Sequence, residues 1–378
     1  MGDSRAITKE LKNMFYMENG IFYPFYLYVK NNTDKLAVCF RGNGSPEKIS
    51  IYHNNHTVWE LYKDTVGPKV AISFNHARYC EDWEEKMKEL GKLGFQIWDD
   101  SGEILSPYNA DSIGMLVCDC NDKKYKNDPI NFVMVSYGII MDMMRIFFAP
   151  KKAEDFDYFK NNYTKYKKNL AEKRWQQWLF NKLKNSNNGL FAYDLEFSQP
   201  GAKGEENTNE PDMLALRYEN NQPVAIVLLE VKSLASACEN QDQKQDKKSS
   251  DIYHHIKGMR EYSQSNNIKS RREEVHKILK DYAEMKLYVK ENQIIPEENN
   301  ELPVECAIIF TTADLIDIGH QIKSGDSAIH YYFNNEDRIK TVCESEEENW
   351  KCDIYLVGNF MKNKKYPAKI YTLPEEWN

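Results

Sequence analysis

Asp212, Glu230 and Lys232 have the types and the spacing to do chemistry together. They lie in one stretch, Glu210 to Ser233, that reads as two strands joined by a turn. The first strand, Asp212 to Tyr218, alternates in polarity, whereas the second, Val224 to Lys232, is an almost unbroken apolar run, as in a strand buried on both faces. Glu219 to Pro223 between them has turn composition. Folding the hairpin about Asn221 sets opposite each other residues whose numbers add to 442, so Asp212 faces Glu230. Their Cβ atoms are then about 4.5–5.5 Å apart, and Lys232 shares the face of Glu230. Two carboxylates that close repel each other. A divalent cation relieves the repulsion, and hard oxygen ligands suit Mg²⁺ or Mn²⁺. A lysine beside the metal can orient a water or stabilise charge on a phosphate. The plainer alternative has Asp212 starting a turn and Lys232 merely neutralising Glu230 at a sheet edge.

Pro211-Asp212, 17 intervening residues and then Glu230-Val231-Lys232 resemble the PD-(D/E)xK phosphodiesterase superfamily, the restriction-endonuclease-like nucleases. The resemblance spans roughly residues 165–315 and rests on the motif together with its hydrophobic hairpin. It implies an α/β fold with a restriction-endonuclease-like core, a mixed sheet flanked by helices. It also implies phosphodiester hydrolysis, with Asp212, Glu230 and the carbonyl of Val231 on Mg²⁺ or Mn²⁺ and Lys232 beside the reacting phosphate. Many members carry a further glutamate on the helix ahead of the sheet. Glu172 is the acidic residue in the matching part of this chain, as a metal ligand or a neighbour of one, or else as a solvated helix partner. The helix after the motif in such proteins reaches toward the phosphate. Tyr253, His254 and Lys257 occupy suitable positions, and of these Lys257 is the residue assigned to nucleic acid.

Charge adds a second feature. The chain carries a net charge of −8, which argues against non-specific coating by nucleic acid but not against a local basic groove. Lys160 to Lys184 holds eight Lys or Arg and one Glu. Lys165, Lys167, Lys168, Lys173 and Arg174 from this run are candidates for holding the phosphates that flank a cleavage point. The resemblance favours DNA over RNA as the target. A homodimer is expected, because double-strand cleavage usually takes two sites. Restriction or antiviral defence is expected on analogy alone. The competing reading is a non-cutting module that binds nucleic acid or protein on a degenerate nuclease fold.

The remaining elements position this hairpin. Residues 156–183 read as helical, followed by a strand at Leu190–Phe197, the hairpin, a helix at Asp251–Ser263, a basic helix at Lys269–Tyr288, and strands at Ala307–Thr311 and Ile354–Val357. Residues 1–150 read as a separate, strand-rich α+β domain for recognition, sensing or assembly, with an activating ligand or partner expected there; residues 151–378 are the nuclease domain that the resemblance implies. In the first half, strands are expected at Ile21–Val29, Lys35–Phe40, Lys48–Tyr52, Val70–Phe74 and Phe95–Trp98, with a helix at Glu81–Leu93. Phe132 to Phe148 is apolar and reads as either a buried helix or a strand running into one. Asn75 to Tyr79 is a binding loop or a solvated connection, and Arg41-Gly42-Asn43-Gly44 is a turn.

With 378 residues, 41% hydrophobic, the chain can fill two cores. No apolar run is long enough to span a membrane, and no signal-peptide pattern opens the sequence. Eight scattered cysteines lack zinc-finger spacing, so free thiols and a cytoplasmic location are expected.

Overall fold

A computed structural model of the chain describes residues 5–42, 46–53, 56–73, 83–99, 113–143, 172–183, 189–195, 211–238, 252–264, 267–311, 327–344 and 352–357. The fold is mixed α/β, with two sheets flanked by helices. The chain divides into two compact units, one over Ser4–Tyr158 and the other over Phe159–Asn378. No described helix is long and apolar enough to cross a membrane.

The first unit opens with α1 (Lys9–Tyr16) and α2 (Tyr23–Lys30). Thr8 caps α1 by accepting from the Leu11 N–H at 3.3 Å. The strand expected over Ile21–Val29 is instead α2. Pro24 sits in its first turn, where a missing N–H costs nothing. Phe25, Tyr26 and Val29, at helical spacing, are buried, so packing overrode the β preference of the aromatics. Strands β1 (Leu36–Arg41), β2 (Lys48–His53), β3 (His56–Lys63), β4 (Pro68–Ser73), β5 (Gln96–Asp99) and β6 (Ile113–Asp119) form one sheet in the order β1-β2-β3-β4-β6-β5. Every neighbouring pair in it is antiparallel. β3 and β6 have no counterpart among the strands the sequence predicts. Helix α3 (Trp83–Lys92) precedes β5; α4 (Lys123–Asn127) and α5 (Pro129–Met143) follow β6. The apolar stretch after Phe132 is therefore a helix as far as Met143. Phe132 of α5 joins Phe25, Trp59 and Tyr125 in an aromatic core.

The second unit carries the hairpin. Helix α6 covers 172–183. Strands β7 (Gly189–Leu195), β8 (Met213–Glu219), β9 (Gln222–Lys232), β10 (Val304–Thr311) and β11 (Cys352–Val357) form a sheet in the order β11-β10-β9-β8-β7. β8 runs antiparallel to both of its neighbours, β7 and β9; β9, β10 and β11 run parallel. β9 is central, and its residues from Ala225 to Lys232 are buried, as its continuous apolar run requires. Helices α7 (Ala235–Cys238), α8 (Ile252–Ser263), α9 (Asn267–Glu284), α10 (Ala328–Asn334) and α11 (Glu336–Cys343) complete the described elements.

The hairpin turn is tighter than its composition suggests. β8 and β9 are joined by Asn220 and Asn221 alone, both left-handed at φ 50° and 63°, a two-residue turn that asparagine tolerates. Pairs next to the turn add to 441: Glu219 opposes Gln222 and Tyr218 opposes Pro223. Val224 is then left over as a bulge. Beyond it Arg217 opposes Ala225, and the register is 442 down to Met213 opposite Leu229.

Candidate active site

The paired register ends at Met213 opposite Leu229; carried one residue further, it would set Asp212 opposite Glu230. Asp212 lies just outside β8, and its carboxylate caps the end of the hairpin: the backbone N–H of Val231 donates to Asp212 Oδ2 at 2.7 Å. The N–H and C=O of one strand residue point to the same side. The Val231 carbonyl therefore leaves β9 on the Asp212 side, past the last residue of β8. The Lys232 carbonyl points the other way, accepting from Thr311 Oγ1 of β10 at 3.3 Å.

Three further contacts define the cluster. Lys232 Nζ lies 2.5 Å from Glu230 Oε1 and 3.9 Å from Glu172 Oε1. His255 Nδ1 lies 2.9 Å from the same Glu230 oxygen. Glu172 comes from α6, Asp212 from the loop into β8, Glu230 and Lys232 from β9, and His255 from α8. The Glu230 and Lys232 side chains are 2% and 6% exposed, those of Glu172 and His255 18% and 23%. The cluster is thus closed at Glu230 and opens toward His255.

Three carboxylates face one lysine and one histidine, and the electrostatics reflect the excess of acid. Burial works to raise Glu230, but His255 and Lys232 override it and hold that carboxyl at about 2. Asp212 goes the other way: burial, then the Glu230 charge, push its carboxyl well above the usual range against the pull of Lys232. Glu172 is also raised, by burial first and Glu230 next, with Lys232 and His255 opposing. Burial alone would lower Lys232; Glu172, Glu230 and Asp212 outweigh it and keep the ammonium firmly charged.

Carboxylate and carbonyl oxygens are donors of the kind Mg²⁺ or Mn²⁺ takes. Glu172 Oε2 is buried without a hydrogen-bond partner among the described residues. Asp212 and Glu172 are the carboxyls whose charge is disfavoured, and a cation beside them reverses that preference. Asp212, Glu230, Glu172 and the Val231 carbonyl would hold it. Among the described residues no three His, Cys, Asp or Glu groups already converge as a finished metal cage, and Glu230 Oε1 is taken up by Lys232 and His255.

Other expected contacts fall elsewhere. Arg174 is 4% exposed within α6 and so does not present its guanidinium as an open phosphate contact. Lys173 beside it is partly buried. Lys165, Lys167 and Lys168 lie outside the described residues, as does the loop Asn75–Tyr79. Lys257 is 71% exposed and pairs with Glu261 at 3.7 Å. It stands about 200° around α8 from His255, on the side away from the cluster. His254 is exposed and Tyr253 lies under the Arg338 guanidinium at 4.0 Å. The sequence reading passed over His255. Its signal is the buried stripe Ile252, Ile256, Met259 and Tyr262: three residues from Ile252 and four from Met259, His255 flanks that stripe and turns inward with it.

No protein-family model, curated protein or solved structure matches the chain.

Proposed function

We propose that the chain is a metal-dependent nuclease with a restriction-endonuclease-like core, hydrolysing phosphodiester bonds in DNA ahead of RNA. The observation that supports the reading is the end of the β8–β9 hairpin, where the Val231 N–H donates to Asp212 at 2.7 Å and Lys232 Nζ lies 2.5 Å from Glu230. Phosphodiester hydrolysis has a very high uncatalysed barrier. A bound Mg²⁺ or Mn²⁺ would polarise the phosphate and acidify a water. Asp212, Glu230, Glu172 and the Val231 carbonyl would hold the ion. Lys232, kept charged by the carboxylates around it, would stabilise negative charge developing on the phosphate. A homodimer, an activator acting through the first unit, and a role in restriction or antiviral defence belong to the same proposal.

One observation favours a second reading, a non-cutting binding module. Lys232 and His255 both sit directly on Glu230 Oε1, as side chains do where a carboxylate serves a structural ion-pair network. Cleavage of plasmid DNA, single-stranded DNA and RNA with Mg²⁺ or Mn²⁺ separates the two. Cutting by the wild-type protein that is lost in Asp212→Ala and Lys232→Ala supports the nuclease. Metal binding without cutting of any substrate supports the module. Cutting that survives both substitutions overturns the site.

A further inference from the structure

We infer that His255 is a positioning residue for the metal site, fixing which oxygen of Glu230 is presented to the cation. This rests on the nuclease reading of the site. Among the described residues, two donors reach Glu230, Lys232 Nζ at 2.5 Å and His255 Nδ1 at 2.9 Å, and they meet at the same oxygen, Oε1. A carboxylate oxygen with two such donors is saturated, and the carboxylate can no longer turn about its last bond without losing both. Oε2 is then the oxygen offered to a cation. Lys232 alone cannot do this, because its ammonium is shared with Glu172 at 3.9 Å on a long, rotatable stem. His255 adds a short side chain with a planar ring from a different element, α8, whose stripe Ile252, Ile256, Met259 is anchored in the core. The imidazole thus ties the orientation of Glu230 to the docking of α8. Outer groups that orient a ligand in this way are worth roughly 10–100-fold in metal affinity.

Chemistry distinguishes orientation from simple bulk. Asparagine places its amide N–H where histidine has Nδ1; glutamine places it where histidine has Nε2. The experiment is Mn²⁺ binding by titration calorimetry on the full chain, for the wild type and for His255→Ala, His255→Asn and His255→Gln, with thermal unfolding of each in chelator. The expected result is a loss of roughly 10–100-fold in Mn²⁺ affinity for His255→Ala and His255→Gln and affinity close to wild type for His255→Asn. If His255→Ala does not fold, the Asn and Gln variants decide the matter alone. Equal affinity in Asn and Gln, or in Ala and wild type, overturns the positioning role while leaving the site standing. A wild-type protein that binds no Mn²⁺ overturns the site itself, and the role of His255 with it.

Discussion

The N–H of Val231 donates to the Asp212 carboxylate at 2.7 Å, a bond that only one register of the hairpin allows. The two-residue turn at Asn220-Asn221 would by itself pair residues that add to 441 and set Asp212 opposite Leu229. A slip of one residue turns every side chain to the other face. Glu230 and Lys232 would then point away from Asp212. Val224, the extra residue in β9, restores the 442 register seven residues before it matters. Deleting Val224 is therefore expected to abolish Mn²⁺ binding by calorimetry, whereas Val224→Ala, which keeps the backbone count, leaves it intact. Unchanged binding in the deletion would show that the bulge does not set the register at Asp212.

The 442 register from Arg217 to Met213 is legible in the sequence because both strands announce themselves: one alternates, the other is apolar throughout, and turn residues lie between. The route to it is not legible. A five-residue turn centred on Asn221 and a two-residue turn followed by a bulge give the same register, and composition does not separate them. Helix α2 was misread because its aromatic residues have strand preferences, and only Pro24 at its start argues otherwise. His255 was missed because nothing in its own identity marks it. Its place is set by the neighbours that pull one side of α8 into the core.

Asp212 is expected to give the stability of the protein an unusual dependence on pH. Its carboxyl is raised in the folded state by burial and by Glu230. Between its ordinary value and the raised one, the folded chain holds a proton that the unfolded chain has released, so stability falls as pH rises. The slope is at most about 1.4 kcal/mol per pH unit for one such group, and Glu172 adds to it with the same sign. Glu230 works in the opposite sense: its contribution is in place above the ordinary carboxyl value of 4.5 and is lost as pH falls toward about 2. Urea unfolding in chelator from pH 5 to 8 should show stability declining with pH in the wild type and a flatter curve for Asp212→Asn. A variant slope equal to that of the wild type would mean that Asp212 is ionised throughout.

Arg217 tests how the sheet holds its parallel edge, independently of the site. From β8 its guanidinium reaches past β9, where Ala225 opposes it, to Glu305 of β10 at 2.7 Å and to Asp353 of β11. Tyr355 completes the group, its hydroxyl 3.4 Å from the guanidinium. Ala225 is small enough to leave that path open. Arg217→Ala strands two largely buried carboxylates, which costs about 3–5 kcal/mol in comparable cases. Arg217 is 13% exposed, Glu305 18% and Asp353 23%, so the lower end of that range is expected. Denaturant unfolding measures the loss, and Mn²⁺ affinity in the folded variant should match wild type. A loss below about 1 kcal/mol would place the network among ordinary surface ion pairs.

Glu172 offers a test in which two readouts move in opposite directions. Its Oε1 lies at the edge of ion-pair reach from Lys232, and its Oε2 is buried without a partner among the described residues. With Asp212 and Glu230 it makes three carboxylates around Lys232 and His255, and its own charge is disfavoured by burial and by Glu230. Glu172→Gln removes that charge at almost constant volume. In chelator the variant should be more stable than wild type at pH 8, by about 1 kcal/mol. A metal site loses affinity when an anionic ligand is removed, so Mn²⁺ should bind roughly tenfold more weakly, which corresponds to about 1.4 kcal/mol. Unfolding with and without Mn²⁺ reads both effects on one sample: the stabilisation added by the ion shrinks while the baseline rises. A purely structural ion pair between Glu172 and Lys232 predicts the reverse baseline, a loss of stability on substitution. That outcome would move Glu172 out of the metal site and leave Asp212, Glu230 and the Val231 carbonyl to hold the ion.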